Sequence, residues 1–265
     1  MTENQQRTLI SGASAGIGEA LAWQFARHGH DLILVARSAD KLEALADALT
    51  AEHGVSVAVY PADLSKRGAA GKLFRALQGD RLAADVLVNN AGVLQHGRFV
   101  EMSPAEHQRI VQLNTASLSD MLAWFVPPMA ERGSGRILNV ASVAAFQPVP
   151  SLATYAATKA FVLSLSEALG EELRGSGVTV TALCPGLTDT NMVAQVKAGS
   201  EGARKLPDML ISDVEDVARE GFEACMAGTP VVVPGRINQA TVMANRALPK
   251  WLVRRMMGAA GRASY

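Results

Sequence analysis

The chain has 265 residues, 49% of them hydrophobic, and its 25 basic side chains balance 25 acidic ones. A formal charge of zero argues against a dedicated nucleic-acid binder, and two cysteines, Cys184 and Cys225, give neither a disulfide framework nor a metal cluster, which suits a reduced, cytoplasmic setting. The polar stretch Met1 to Thr8 lacks the apolar core of a signal peptide, and no apolar run approaches the ~20 residues of a membrane-spanning helix.

From residue 8 onward, short apolar runs alternate with helical patterns. Thr8 to Ile10 reads as a strand leading into Ser11-Gly-Ala-Ser-Ala-Gly-Ile-Gly18, after which Ile17, Leu21 and Phe25 share a helical face. Asp31 to Ala36 is a continuous leucine and β-branched run, the pattern of a strand buried on both faces. Leu42, Leu45, Ala46 and Leu49 then fall at i, i+3, i+4 and i+7. Val55 to Tyr60 is a third strand, Leu73, Phe74 and Leu77 suit the next helix, and Val86 to Val88 is a fourth strand ending in Asn89-Asn-Ala-Gly92. Ser103-Pro-Ala-Glu106 spells a capping box with proline at the first helical position, and a kink or stop is expected at Pro127-Pro128. Arg136 to Ala141 is a fifth strand, Thr154 to Leu173 a long helix, and Val178 to Cys184 a sixth strand halted by Pro185-Gly186. Ser212 with Glu215 predicts a second capping box for a helix through Ala227, and Val231 to Val233 is a seventh strand. Repeated β–α alternation with buried-type strands predicts an α/β fold with a parallel, doubly wound sheet. No linker or repeat divides the chain, so residues 1–265 read as one domain, a core over 7–234 and a basic extension over 235–265.

A strand, a glycine turn and a helix at the first crossover suit a dinucleotide. Gly12, Gly16 and Gly18 are spaced GxxxGxG: the first permits a tight turn, the second close approach of backbone to a pyrophosphate, the third close packing of helix on strand. No acid stands about 20 residues further on to take a ribose 2′-hydroxyl; the second strand ends in Ala36-Arg37-Ser38. An arginine there forks onto a 2′-phosphate, with Ser14 and Ser38 as further donors, although a solvated surface arginine is the plain alternative.

Tyr155 and Lys159 stand four apart on a helical stretch and share a face. A tyrosine titrates near 10 and becomes a useful acid/base when a neighbouring ammonium lowers that value. Ser142 ends the fifth strand, on the carboxyl edge where such sheets bind ligands, and Asn114 sits mid-helix, where asparagine needs a polar job or an exposed face.

In this order and on these elements, SGASAGIG (11–18), Asp63-Leu64, NNAG (89–92), Asn114, Ser142, YAATK (155–159) and PGLTDT (185–190) resemble the short-chain dehydrogenase/reductase family over roughly residues 7–234. The resemblance implies a single-domain, seven-stranded Rossmann fold and hydride transfer between NADP(H) and an alcohol/carbonyl pair. It makes Tyr155 the acid/base and Lys159 the holder of the nicotinamide ribose. Ser142 would bond the reacting oxygen, and Asn114 would support a water-linked proton relay to Lys159. The glycine turn with Ser14, Ala15 and Ile17 would cradle the pyrophosphate, Asp63 and Leu64 would meet the adenine, and Asn90, Ala91 and Gly92 would wall it. Pro185, Gly186, Thr188 and Thr190 would border the nicotinamide. Ser11 stands where the family usually has threonine, and Ala141 where it often has a second serine. A homodimer or homotetramer is the expected assembly.

Residues 93–99, 143–152 and 187–211 are expected to form the substrate pocket, with Val143, Phe146, Val149, Met192 and Val193 making it apolar. That favours a lipophilic carbonyl; a 3-oxoacyl reductase and a non-enzymatic NADPH-binding regulator are the other readings. The histidines suggest no metal site, with His96 a loop residue. After Glu223 the chain has six cations and no acid. Arg246, Lys250 and Arg254 recur every four residues beside Leu248, Leu252 and Met256. Such a helix suits an anionic membrane surface, a subunit cap or a cover for the substrate pocket, with a solvated face as the default.

Overall fold

The computed structural model describes residues 6–190 and 211–262. Its strands are β1 (Arg7–Ser11), β2 (Asp31–Ala36), β3 (Val57–Pro61), β4 (Val86–Asn89), β5 (Gly135–Val140), β6 (Val178–Leu183), β7 (Leu187–Thr188), β8 (Ile211–Ser212) and β9 (Val231–Val232). Seven of them pair in parallel in the order β3-β2-β1-β4-β5-β6-β9, as the alternation predicts. The chain builds outward from β1 to β3, then returns to β4 and builds the other way. That reversal opens a crevice at the carboxyl ends of β1 and β4.

The helices among the described residues are α1 (Gly16–Arg27), α2 (Ala39–His53), α3 (Ala69–Gly79), α4 (Pro104–Val111), α5 (Ser117–Glu131), α6 (Ala153–Glu172), α7 (Val214–Ala227), α8 (Arg236–Ala247) and α9 (Lys250–Arg262). Strand residues alternate between two apolar layers. Ile10, Leu32, Leu34, Val88 and Leu138 pack with Leu21 and Phe25 of α1, Leu42 of α2 and Phe222 of α7. Leu9, Ile33, Val35, Leu87 and Ile137 pack on the other face with Leu73 of α3, Phe125 of α5 and Val162 of α6. With both faces covered, β2 has no polar side to show, which is why its sequence is a continuous apolar run.

Ser103 caps α4 with both bonds of the predicted box: its hydroxyl accepts from the Glu106 amide, and its own amide donates to the Glu106 carboxylate at 2.7 Å. Other expectations are corrected. Helix α5 does not stop at Pro127 and Pro128 but continues to Glu131. The carbonyls left without an intrahelical donor belong to Ala123 and Trp124, both on the exposed side, where water serves them. Ser212 does not cap α7, because it is held in β8; the cap is Asp213, whose carboxylate accepts from the Glu215 and Asp216 amides. The β7–β8 pair itself, in and beyond the PGLTDT segment, has no counterpart in the predicted elements. The basic tail is not one helix: extended backbone at Leu248, ahead of Pro249, separates α8 from α9, so Arg246 does not continue the Lys250–Arg254 row. Val253 is the buried residue of α9, while Met256 is exposed. Among the described residues no helix is long and apolar enough to cross a membrane.

Candidate active site

The glycine turn sits at the carboxyl end of β1. Gly12 and Gly16 have φ of +68° and +58°, a region that favours glycine, and they aim the chain into α1. Gly18 lies so tightly under the turn that a β-carbon would stand 2.3 Å from the Gly12 carbonyl oxygen. From β4, the Asn90 amide group donates to the Ser11 and Gly12 carbonyls at 3.0 and 3.1 Å, and Ser11 Oγ accepts from the Asn90 and Ala91 amides. Ala15 supplies no side-chain cap, so the first amides of α1 are left for an outside anion, with Ser14 alongside. The donor set and the bare backbone fit a phosphate-bearing ligand.

A cleft of about 270 Å³ runs from this turn across the carboxyl ends of β4 and β5. It gathers Ile17, Asn90, Gly92, Ser142, Tyr155, Lys159, Pro185, Gly186, Thr188 and Thr190 of the predicted set. Thr190 closes it against the glycine turn, its methyl being 3.1 Å from where a β-carbon of Gly16 would lie. Beside Ser142, whose hydroxyl pulls the other way, burial dominates at Tyr155 and pushes the phenol up to about 12. Burial likewise pulls the Lys159 ammonium down to about 8, with Cys184 acting slightly the other way. Lys159 Nζ donates to the Val140 carbonyl at 2.8 Å and lies 5.7 Å from the centre of the Tyr155 ring. The expectation that Lys159 depresses the tyrosine is not met here: burial raises the phenol, and the ammonium is turned to the Val140 carbonyl.

Asn114 is not in an ordinary helix interior. It sits in a π-helical turn, Gln112–Ala116, between α4 and α5, and is buried behind the cleft. Its Oδ1 accepts from the Val93 amide, and its Nδ2 donates to the Val93 carbonyl and to Thr158 Oγ1, at 2.9, 3.0 and 3.1 Å. Both amide protons are thus committed to the loop after NNAG and to the residue beside Lys159. The side chain positions these walls.

Arg37, Ser38, Asp63 and Leu64 do not line the cleft; they end or follow β2 and β3 beyond the glycine turn. Arg37 and Ser38 are exposed. Asp63 is held ionised chiefly by the Ser65 hydroxyl at 2.6 Å and in smaller part by the charges of Lys66 and Arg37. An acid therefore does stand near Arg37, one strand over, which the local sequence around β2 does not reveal; its Oδ1 is occupied by Ser65.

Of the predicted pocket residues, Val143 and Val149 line the cleft, whereas Phe146 turns into the core beneath the sheet. Met192 and Val193 lie outside the described residues. His96 is half-buried in its loop and away from the cleft lining. Leu94, Gln147, Leu152 and Leu187 also line the cleft, within the segments expected to form the pocket though not singled out there; Thr158 hides inside the YAATK motif.

Residues 6–201 match the family described as short chain dehydrogenase. A ketoacyl reductase of Nostoc sp. is 31% identical over 219 residues, 80% of this chain and 76% of that one. The solved short-chain dehydrogenase from Sphingobium yanoikuyae in complex with NADPH superimposes with a TM-score of 0.80 at 34% identity, covering 92% of this chain and 96% of that one. The bulky-bulky ketone specific alcohol dehydrogenase from Comamonas testosteroni gives a TM-score of 0.77 at 31% identity, covering 94% and 96%. The chain belongs to the short chain dehydrogenase family of oxidoreductases.

Proposed function

We propose that the protein reduces a bulky, apolar ketone or aldehyde with NADPH, using Tyr155 as the proton donor. The observation that carries this reading is the cleft: Ser142 and Tyr155 share its lining with Leu94, Val143, Val149, Leu152 and Leu187. NADPH, when bound, supplies the hydride. The glycine turn and the open amides of α1 hold its phosphates, Arg37 and Ser38 meet the 2′-phosphate, and Asp63, Leu64 and Ala91 flank the adenine. Pro185, Gly186, Thr188 and Thr190 border the nicotinamide, and Lys159 holds its ribose.

Ser142 orients the substrate oxygen, and the Tyr155 hydroxyl gives it a proton. A phenol pushed up to about 12 remains protonated at neutral pH, the state a reductase needs. Asn114 fixes the Val93 loop and Thr158, and so the shape of the proton path at Lys159. The Nostoc ketoacyl reductase and the Comamonas bulky-bulky ketone dehydrogenase leave both a 3-oxoacyl thioester and a hindered ketone as candidates. The apolar walls favour the ketone. Exposed Phe161 on α6 and Trp124 on α5 support self-association, and two buried cysteines outside any disulfide suit a cytoplasmic enzyme.

The test is a panel of bicyclic and aryl ketones, aldehydes and acetoacetyl thioester, followed by loss of the reduced-nicotinamide absorbance. Turnover greatest on hindered ketones is the expected outcome. NADPH binding without turnover of any carbonyl would favour a non-enzymatic regulator instead.

A further inference from the structure

Helix α8 buttresses the cleft from behind its lining. It packs on the 3₁₀ turn Val143–Phe146 that follows Ser142, and it reaches both walls of the cleft. On one side Asn238 lies flush against Gly186, where a β-carbon would meet its amide at 2.4 to 2.6 Å. Asn238 is itself fixed by donating to the Pro234 carbonyl at 2.8 Å and to Ser212 Oγ at 3.4 Å. On the other side Asn245 Nδ2 donates to Gln147 Oε1, across 98 positions of sequence.

Gln147 is the odd member of the cleft. Among the described residues it is the one polar side chain lining the cavity that has no part in the proposed cofactor and proton chemistry. Its oxygen is engaged by Asn245, and that is the one side-chain hydrogen bond Gln147 makes among the described residues. An amide with its acceptor end tied down presents its donor end to whatever fills the cavity. A donor in an otherwise apolar wall discriminates, because a ligand oxygen placed there regains a hydrogen bond that a hydrocarbon leaves unmade.

Resting on the reductase reading above, we infer that Gln147, oriented by Asn245, is a specificity residue for a bulky apolar ketone carrying a second oxygen acceptor besides the one that reacts. Gln147 touches the ligand directly; Asn245 is a positioning residue acting through it. The basic extension thereby serves the pocket through α8.

The probes are 1-decalone and decalin-1,5-dione, which share a skeleton and differ by one carbonyl. Calorimetric titration of the NADP-loaded protein reads binding, and NADPH oxidation reads turnover separately. The wild type should bind the dione about five- to tenfold more tightly than the monoketone. Gln147→Glu, nearly isosteric but without the donor, should erase that gap by weakening the dione alone, with NADPH affinity unchanged as the control for folding. Asn245→Ala should raise KM for the dione while sparing kcat and both constants for 1-decalone. Equal wild-type affinities, binding of neither ketone, or a Gln147→Glu effect shared by both ketones would overturn the inference. A gap in affinity without NADPH oxidation would sink carbonyl reduction and leave the subsite standing.

Discussion

Lys159 donates its ammonium to the Val140 carbonyl at 2.8 Å, and this bond anchors a cation that the fold has almost completely buried. Burial lowers the group from 10.5 to about 8. Below about pH 8 both folded and unfolded chains carry the proton, and the cost of burying the charge applies in full. Between about pH 8 and 10.5 the unfolded chain holds a proton that the folded chain has released, so stability rises with pH across that window. The effect is about 3 kcal/mol at its fullest. Cys225, raised by burial from 9.0 to about 12, has the opposite sign and offsets the climb from about pH 9, and Tyr155 and Tyr60, raised from 10.0 to about 12, let stability fall above pH 10. Thermal unfolding of the ligand-free protein should therefore show the midpoint climbing from about pH 8 to 9, and Lys159→Met should remove the climb and be the more stable form near neutrality. A wild-type curve as flat as the variant's would mean that the ammonium is solvated in solution.

Tyr155→Phe removes one hydroxyl from a side chain that is 8% exposed and leaves the ring to fill the same space. Turnover should drop by ~10²–10⁴-fold, the usual contribution of a positioned proton donor. NADPH affinity should stay nearly unchanged, since the phosphates are held by the glycine turn some distance away. Stopped-flow reduction and a fluorescence titration of NADPH separate the two effects. Activity within a few-fold of the wild type would move the proton donor to another group.

Gly18→Ala tests the glycine turn through packing. The new methyl would stand 2.3 Å from the Gly12 oxygen and 2.4 Å from Asn90 Nδ2, and the first of these is backbone that cannot swing aside. Overpacking of this kind costs about 1–3 kcal/mol, and the displaced turn should lose NADPH affinity as well. Gly79→Ala is the matched control, because nothing lies within 4 Å of its would-be β-carbon. The control should bind NADPH as the wild type does and unfold at the same temperature or slightly higher. Two variants with the same NADPH affinity would show that the turn yields more readily than its geometry implies.

How far the sequence alone reaches differs from residue to residue, for physical reasons. The three glycines and the Tyr155–Lys159 pair are legible because their function depends on spacing within one element, and spacing is what a sequence displays. The alternating layers are legible for the same reason, through strands such as Leu32 to Ala36. Asn114 is legible as an anomaly, but its π turn is not, since a single wide turn leaves no periodic trace and its partners Val93 and Thr158 are 21 and 44 positions away. Gln147 and Asn245 meet across 98 positions. Phe146 illustrates a subtler failure. One turn of 3₁₀ helix decides whether a residue after Ser142 faces the cleft or the core, and composition is blind to that choice. Pro127 and Pro128 mislead in the other direction: the helix continues through them, with their i−4 residues Ala123 and Trp124 on its exposed side.

The choice of cofactor turns on Arg37. It is exposed just beyond β2, past the glycine turn, and its charge helps keep Asp63 ionised on the next strand. Asp63 has its Oδ1 filled by the Ser65 amide and hydroxyl, which restrains it from competing for the guanidinium or for a free ribose hydroxyl. A 2′-phosphate offers Arg37 charge-assisted hydrogen bonds that a hydroxyl does not. One such bond contributes roughly 1.5–3 kcal/mol, so NADPH should bind at least about tenfold more tightly than NADH. In Arg37→Asp the new carboxylate joins Asp63 to repel the phosphate, and it accepts hydrogen bonds from the free ribose hydroxyls of NADH. The preference should reverse, and raising the salt concentration should weaken NADPH binding to the wild type more than NADH binding, as expected for an exposed charge pair. Paired titrations of both cofactors on both proteins, at two ionic strengths, measure this. Equal wild-type affinities for NADPH and NADH would reduce Arg37 to a solvated surface arginine.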